Sequence, residues 1–170
     1  VRGLRAMHPD AQRIVDKSLS NGNLPGLASR LLPGCRVIHV VRDPRDVAIS
    51  CVMGEFRPAV MPWTTRLEWV ATAWSAMERL MRHWRAVLDV PILEVRYERL
   101  VADPDTEFRR IIEFIGLPWD DACLDFHATG RPLRTLSNDQ VCRPLYTSSI
   151  ARHRHYEAAI SAIEWPDHEA

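Results

Sequence analysis

Lysine is almost absent from this chain: Lys17 is the only one among 22 lysines and arginines. A GC-rich coding bias accounts for most of that imbalance, yet it leaves Lys17 conspicuous. Net charge is absent too, since 22 acidic residues balance the 22 basic ones. No overall field therefore draws the chain to nucleic acid or to an anionic membrane surface. No apolar run approaches the roughly 20 residues of a membrane span. The four cysteines (Cys35, Cys51, Cys123, Cys142) show neither C-x-x-C spacing nor histidines at ligand intervals. They read as reduced, buried thiols of a cytosolic-type protein without a metal, and a cytoplasmic location is the expectation. Internal repeats and low-complexity tracts are missing. So are both glycine-rich phosphate signatures, G-x-x-x-x-G-K-[ST] and G-x-G-x-x-G, which argues against a kinase of the P-loop type.

What remains is ordinary globular material: 170 residues, 46% hydrophobic and 26% charged, enough for one domain with a sizeable core. "RIVD" (13–16) reads as a short strand ending at Lys17. "LPGLASRLLPG" (24–34) has helical spacing and a Pro-Gly stop. "RVIHVV" (36–41) is the apolar run of a strand covered on both faces. Asp43 then suits an N-cap and Pro44 a first helical position, for a helix to about Met53. From Thr64 to Asp89 the apolar positions Leu67, Val70, Trp74, Met77, Met81, Trp84 and Leu88 step by threes and fours. That is one long helix with a narrow apolar seam, read as core packing. "PILEVRY" (91–97) is a further strand, and a helix capped by Asp103 follows, ended by Gly116 and Pro118. Residues 119–127 read as a short helix, 128–149 as irregular, and "IARHRHYEAAISAI" as a closing helix.

Strands alternating with helices imply an α/β fold with a parallel sheet, whose ligands lie beyond the carboxyl ends of the strands. The three expected strands end in Asp16-Lys17, Arg42-Asp43 and Arg96-Tyr97-Glu98. Arg42, at the start of a helix whose first N–H groups are free, makes an anion site suited to phosphate. Ser50, seven residues past the cap, lies on nearly the same helical face. On local pattern alone an equally good reading is a capped helix whose arginine pairs with Asp43 or Asp46. His153 and His155 read as surface or cleft residues.

The segment "VIHVVRDPRDVAIS" resembles the stretch by which sulfotransferases hold the 3′-phosphate of 3′-phosphoadenosine 5′-phosphosulfate. "VDKSLSN" is similar to that family's strand-end Asx-Lys element, and "LEVRYERLVADPDTEFRRIIEFIGLPW" to its R-Y-E-x-L stretch. "SNDQVCRPLYTSSIARHRHYE" resembles the C-terminal pattern of bacterial sulfotransferases, which are often joined to tetratricopeptide repeats and resemble tyrosylprotein sulfotransferases. The resemblance runs in order from residue 13 to 157. It implies a three-layer, P-loop-NTPase-like fold, with a parallel sheet flanked by helices over residues 1–170. It also implies sulfuryl transfer from the phosphosulfate donor to a hydroxyl or amine of a small-molecule or peptide acceptor.

Residue by residue, the resemblance puts Arg42 and Ser50 on the 3′-phosphate and Tyr97 against the nucleotide, where a half-buried, hydrogen-bonded tyrosine is an equal alternative. It makes Lys17 the catalytic lysine, Ser137 a serine holding the donor near the reaction centre, and Arg152 a ligand of the donor phosphates. Arg131, Arg134, Arg143, Arg152 and Arg154, against Asp139 alone, suit a lid over a polyanion. Two departures stand out. The family's R-S-G-T-like phosphosulfate loop and its general base do not occur here, and the expectation is that they lie upstream of Val1, where the resemblance also allows tetratricopeptide repeats. Without them this chain alone is expected not to turn over, or to be a non-catalytic nucleotide-binding scaffold. The second departure is His153, where relatives commonly carry tryptophan.

Overall fold

The computed structural model describes residue 6 and residues 9–54, 56, 59–129 and 143–166. The β-branched run becomes β1 (Val37–Val41), which pairs in parallel with β2 (Ile92–Arg96), in a register that sets Val37 opposite Ile92 and Val41 opposite Arg96. Parallel neighbours need a crossover. Here it is built from α2 (Pro44–Met53), a 3₁₀ turn (Pro62–Thr65) and α3 (Leu67–Val87). Ahead of β1 stands α1 (Pro25–Leu31). After β2 come α4 (Tyr97–Ala102) and α5 (Pro104–Ile115), and the short α6 (Glu157–Ile160) lies near the end. The fold is α/β with a parallel sheet and flanking helices, as the alternation of strands and helices implied.

Capping follows the sequence signals. The Asp43 carboxylate accepts from the Arg45 N–H at 2.8 Å, and that of Asp103 accepts from the Thr106 N–H at 3.3 Å. Each cap is followed by proline, whose missing N–H costs a helix nothing at that position. At the other end of α5, Gly116 adopts φ 71°, the left-handed conformation that terminates helices. The carbonyl of Ile115 there accepts from the side chains of both Arg13 (2.8 Å) and Arg36 (3.0 Å). Two cations thus meet the negative end of the α5 dipole.

The central part of the core holds Val41, Ala48, Ile49, Val70, Ala71, Met81 and Val95. It is formed by β1, β2, α2 and α3, and the seam of α3 is core packing, as its spacing implied. Its tryptophans keep their polar tips satisfied: the Trp74 indole donates to the Arg42 carbonyl at 3.2 Å, and that of Trp84 to the Gly22 carbonyl at 3.0 Å. Glu107 is buried, which a lone carboxylate would not tolerate. Arg110 and Arg99 both reach it, and Arg110 also donates to the Glu94 carbonyl at 2.9 Å.

Several elements differ from their expected form. Residues 13–16 form no strand, since Ile14 and Val15 are exposed and lack a ladder partner. The described sheet therefore has two strands rather than three. Arg66 takes extended angles (φ −138°, ψ 138°), so the long helix begins at Leu67 and the residues before it form the separate 3₁₀ turn. The helix α4 begins directly at the end of β2, leaving no loop to announce it. The closing helix is shorter than its pattern suggested, because Arg152–Tyr156 forms a 3₁₀ turn ahead of α6.

Candidate functional site

The in-register parallel pair brings the carboxyl ends of β1 and β2 to one edge of the sheet. The residues that follow, Arg42 and Tyr97, meet there: the Arg42 guanidinium lies 4.7 Å from the centroid of the Tyr97 ring. A cation on an aromatic face is held in place without spending its hydrogen-bond donors. Burial pushes the Tyr97 phenol above its ordinary range, and the Arg42 charge pulls it partly back. Glu98, next in chain, accepts from the Asp43 N–H at 3.0 Å. The R-Y-E stretch therefore braces the start of α2.

That bracing changes the expected anion site. Of the first N–H groups of α2, that of Asp43 is taken by Glu98 and that of Arg45 by Asp43, while Pro44 has none. Arg45 also binds Asp43 through its guanidinium. Burial pushes the Asp43 carboxyl up, but the hydrogen bonds from the Arg45 side chain and backbone outweigh it, and the net shift is downward. The helix start is thus already met by the carboxylates of Asp43 and Glu98, and an anion placed there would depend on side chains.

Those side chains form a stripe. Arg42, Asp46, Ser50 and Met53 recur at steps of four, four and three, so they share one face of α2 and its entry. The segment 149–153 lies along that stripe. Arg42 Nη2 donates to the Ser149 carbonyl, His153 meets Asp46, and Arg152 Nη2 reaches the Met53 sulfur at 3.5 Å. A thioether is a weak acceptor, so Arg152 is available for a better one. Ser50 is exposed between these contacts, and Arg42 Nε is buried without a hydrogen-bond partner among the described residues. Burial pushes the Cys51 thiol up, against an opposing pull from Arg42.

Four of the expected site residues, Arg42, Ser50, Tyr97 and Arg152, are therefore brought to α2 and the strand ends beside it. Lys17 is exposed in an irregular segment rather than at a strand end, and among the described residues it makes no hydrogen bond or ion pair. Ser137 lies outside the described residues, as do Arg131, Arg134 and Asp139. His153, read from sequence as a surface or cleft residue, is instead buried, whereas His155 is exposed. The local pattern offers Asp46 only as a partner for Arg42, whereas its bond to His153 joins residues 107 apart. No sequence signal marks such a pairing. Among the described residues no group of side chains is arranged to hold a metal, and no helix is long and apolar enough to cross a membrane. The three described cysteines are free and half-buried rather than fully buried.

A family model described as "Sulfotransferase family" matches residues 2–121. An uncharacterized protein of Aquifex aeolicus is 33% identical over 165 residues, covering 96% of this chain and 21% of that protein. Protein-tyrosine sulfotransferase A of Caenorhabditis elegans is 26% identical over 137 residues, 72% of this chain and 33% of that enzyme. The chain thus spans between a fifth and a third of these curated relatives. In structure it resembles the sulfotransferase domain from the curacin biosynthetic pathway, with a TM-score of 0.59 at 18% identity, covering 97% of this chain and 68% of that one. The sulfotransferase domain of the Synechococcus PCC 7002 olefin synthase gives the same TM-score at 21% identity, covering 97% and 64%.

Proposed function

The chain belongs to the sulfotransferase family, and from that premise we propose that it takes part in sulfuryl transfer from 3′-phosphoadenosine 5′-phosphosulfate. The acceptor is a hydroxyl or amine on a small molecule or peptide. The acceptor atom attacks sulfur and gives up its proton to a base, while the bond from sulfur to the bridging phosphate oxygen breaks. As in phosphoryl transfer, catalysis then consists mainly of positioning and of stabilising charge on the leaving phosphate.

The observation that carries this reading is the Arg42 guanidinium at the end of β1, braced by Tyr97 and Ser149 and bordered by Ser50 and Arg152. A buried donor without a partner among the described residues, Arg42 Nε, fits a site finished by a polyanion. In this reading Arg42, Ser50 and Arg152 hold the 3′-phosphate end, Tyr97 lines the nucleotide, and Lys17 and Ser137 serve the transferred group. A cytoplasmic setting suits the free thiols.

A second reading, nucleotide binding without turnover, draws on Lys17, which is exposed and unpaired among the described residues. The experiment that separates the two is donor-dependent transfer of labelled sulfate to a panel of phenols, alcohols, amines and tyrosine peptides, measured on the protein at its full length. Transfer that falls in Lys17→Ala far more than nucleotide binding does supports the enzyme, since an interaction made mainly in the transition state behaves that way. Nucleotide binding with no transfer to any acceptor supports the second reading.

A further inference from the structure

His153 is buried on the 3₁₀ turn Arg152–Tyr156, entered through Ala151 at φ 54°. Its backbone N–H and its ring Nδ1 both lie 2.8 Å from Asp46 Oδ1. An ionised carboxylate only accepts, so Nδ1 carries the hydrogen. Both donors of His153 are thus spent on one oxygen. The other, Oδ2, is buried with no hydrogen-bond partner among the described residues, and Arg42 Nη2 stands 3.9 Å from it. That distance is too long for a hydrogen bond but short enough for strong attraction.

The arrangement is unusual for its parts. An arginine and an aspartate four residues apart, largely shielded from water, would ordinarily close into a bidentate pair. Such a pair would turn two guanidinium donors inward and cancel the charge an anion needs. Here His153 holds the carboxylate by its far oxygen and Ser149 holds the guanidinium by its carbonyl, and the pair stays open.

We propose that His153 and Asp46 are positioning residues that hold Arg42 open toward a nucleotide 3′-phosphate instead of letting it close on Asp46. The proposal rests on the reading of Arg42 as a phosphate ligand. His153 acts only through Asp46 and touches no substrate. The backbone N–H stays in every variant, so the ring N–H is the part of the clamp that a side-chain change removes; without it Asp46 keeps one donor instead of two and is free to turn toward Arg42. A side chain with an amide N–H in its place keeps the clamp.

The test titrates the parent chain, His153→Phe, His153→Leu and His153→Asn with adenosine 3′,5′-bisphosphate and, separately, with adenosine 5′-monophosphate. The Phe and Leu variants preserve packing in two shapes, so that one misfolded protein does not end the experiment. The expected result is a loss of roughly tenfold in bisphosphate affinity for both, the scale of one charged hydrogen bond. The monophosphate should bind unchanged, and Asn should restore bisphosphate binding to within about twofold on the same scale. Equal losses for both nucleotides, or no rescue by Asn, overturn the proposal.

A second readout needs no nucleotide. The Arg42 Nε–H resonance, assigned by its loss in Arg42→Lys, should match between parent and Asn and shift in Phe and Leu. If the parent binds neither nucleotide, the phosphate reading has failed. The resonance then still decides the clamp, and an unchanged signal in Phe and Leu overturns it.

Discussion

Tyr97 and His39 show how much a single side chain decides at the strand ends. Tyr97 serves Arg42 with its ring face, so Tyr97→Phe should leave binding of adenosine 3′,5′-bisphosphate nearly unchanged. Tyr97→Leu should weaken it by about 0.5–2 kcal/mol, the range of a cation on an aromatic face. Calorimetric titration of the two variants separates the ring from the hydroxyl, and equal losses would assign the role to the hydroxyl. His39, in the middle of β1, is a different case. Arg85 Nη2 lies 3.1 Å from its Nδ1, and a guanidinium only donates, so Nδ1 accepts and the hydrogen sits on Nε2. Nε2 in turn lies 3.3 Å from Glu78. Burial first, then the Arg85 charge, pulls the His39 pKa below its ordinary 6.5. The unfolded chain therefore binds this proton at higher pH than the folded one. The stability His39 contributes is present above about 6.5 and is lost as pH falls below it. Urea midpoints at pH 7.5 and 6.0 should drop more in the parent than in His39→Gln; parallel drops would remove His39 as the cause.

At the scale of elements, the caps carry the prediction. Gly116 ends α5 in the left-handed conformation, and a Cβ there would stand 3.2 Å from both the Arg13 and the Arg36 guanidinium. Gly116→Ala should cost about 1–2 kcal/mol from backbone strain alone, and Asp103→Ala about 1 kcal/mol from the lost cap. Chemical denaturation reads both, and a Gly116→Ala protein as stable as its parent would mean that α5 ends in some other way. These caps were legible in the sequence because each depends on residues within one turn. Strand β1 was legible as an apolar run, although only one of its faces is covered among the described residues, and the seam of α3 through its apolar periodicity. The segment 13–16 was not: its β-branched residues look like a strand, but a strand needs a partner, and none is written into a local pattern. Nor was α4, where Tyr97-Glu98-Arg99 carries no cap signal because Glu98 is turned to the start of α2.

Over the whole molecule, what sequence reading gains and loses is distance. Arg42, Ser50, Tyr97 and Arg152 were legible as a set through resemblance to one family, and the fold brings them to α2 and the adjoining strand ends. The Asp46–His153 bond, and the capping of α2 by Glu98, depend on tertiary approach and leave no mark on the chain. The same holds for the side of β1 that bears Ile38 and Val40, which are 39% and 59% exposed although Val95, opposite Val40 in the register, is fully buried. Apolar strand surface of this kind promotes association. Ile38→Thr with Val40→Thr should therefore lower self-association in light scattering, with no cooperative loss of structure; unchanged scattering would place the association elsewhere.

The central claim is that Arg42 is the ligand of a nucleotide 3′-phosphate, and calorimetry on Arg42→Ala tests it most directly. Affinity for adenosine 3′,5′-bisphosphate should fall by about 1.5–3 kcal/mol, the worth of a charged hydrogen bond, while affinity for adenosine 5′-monophosphate should stay as it is. An equal loss for both nucleotides would contradict the assignment.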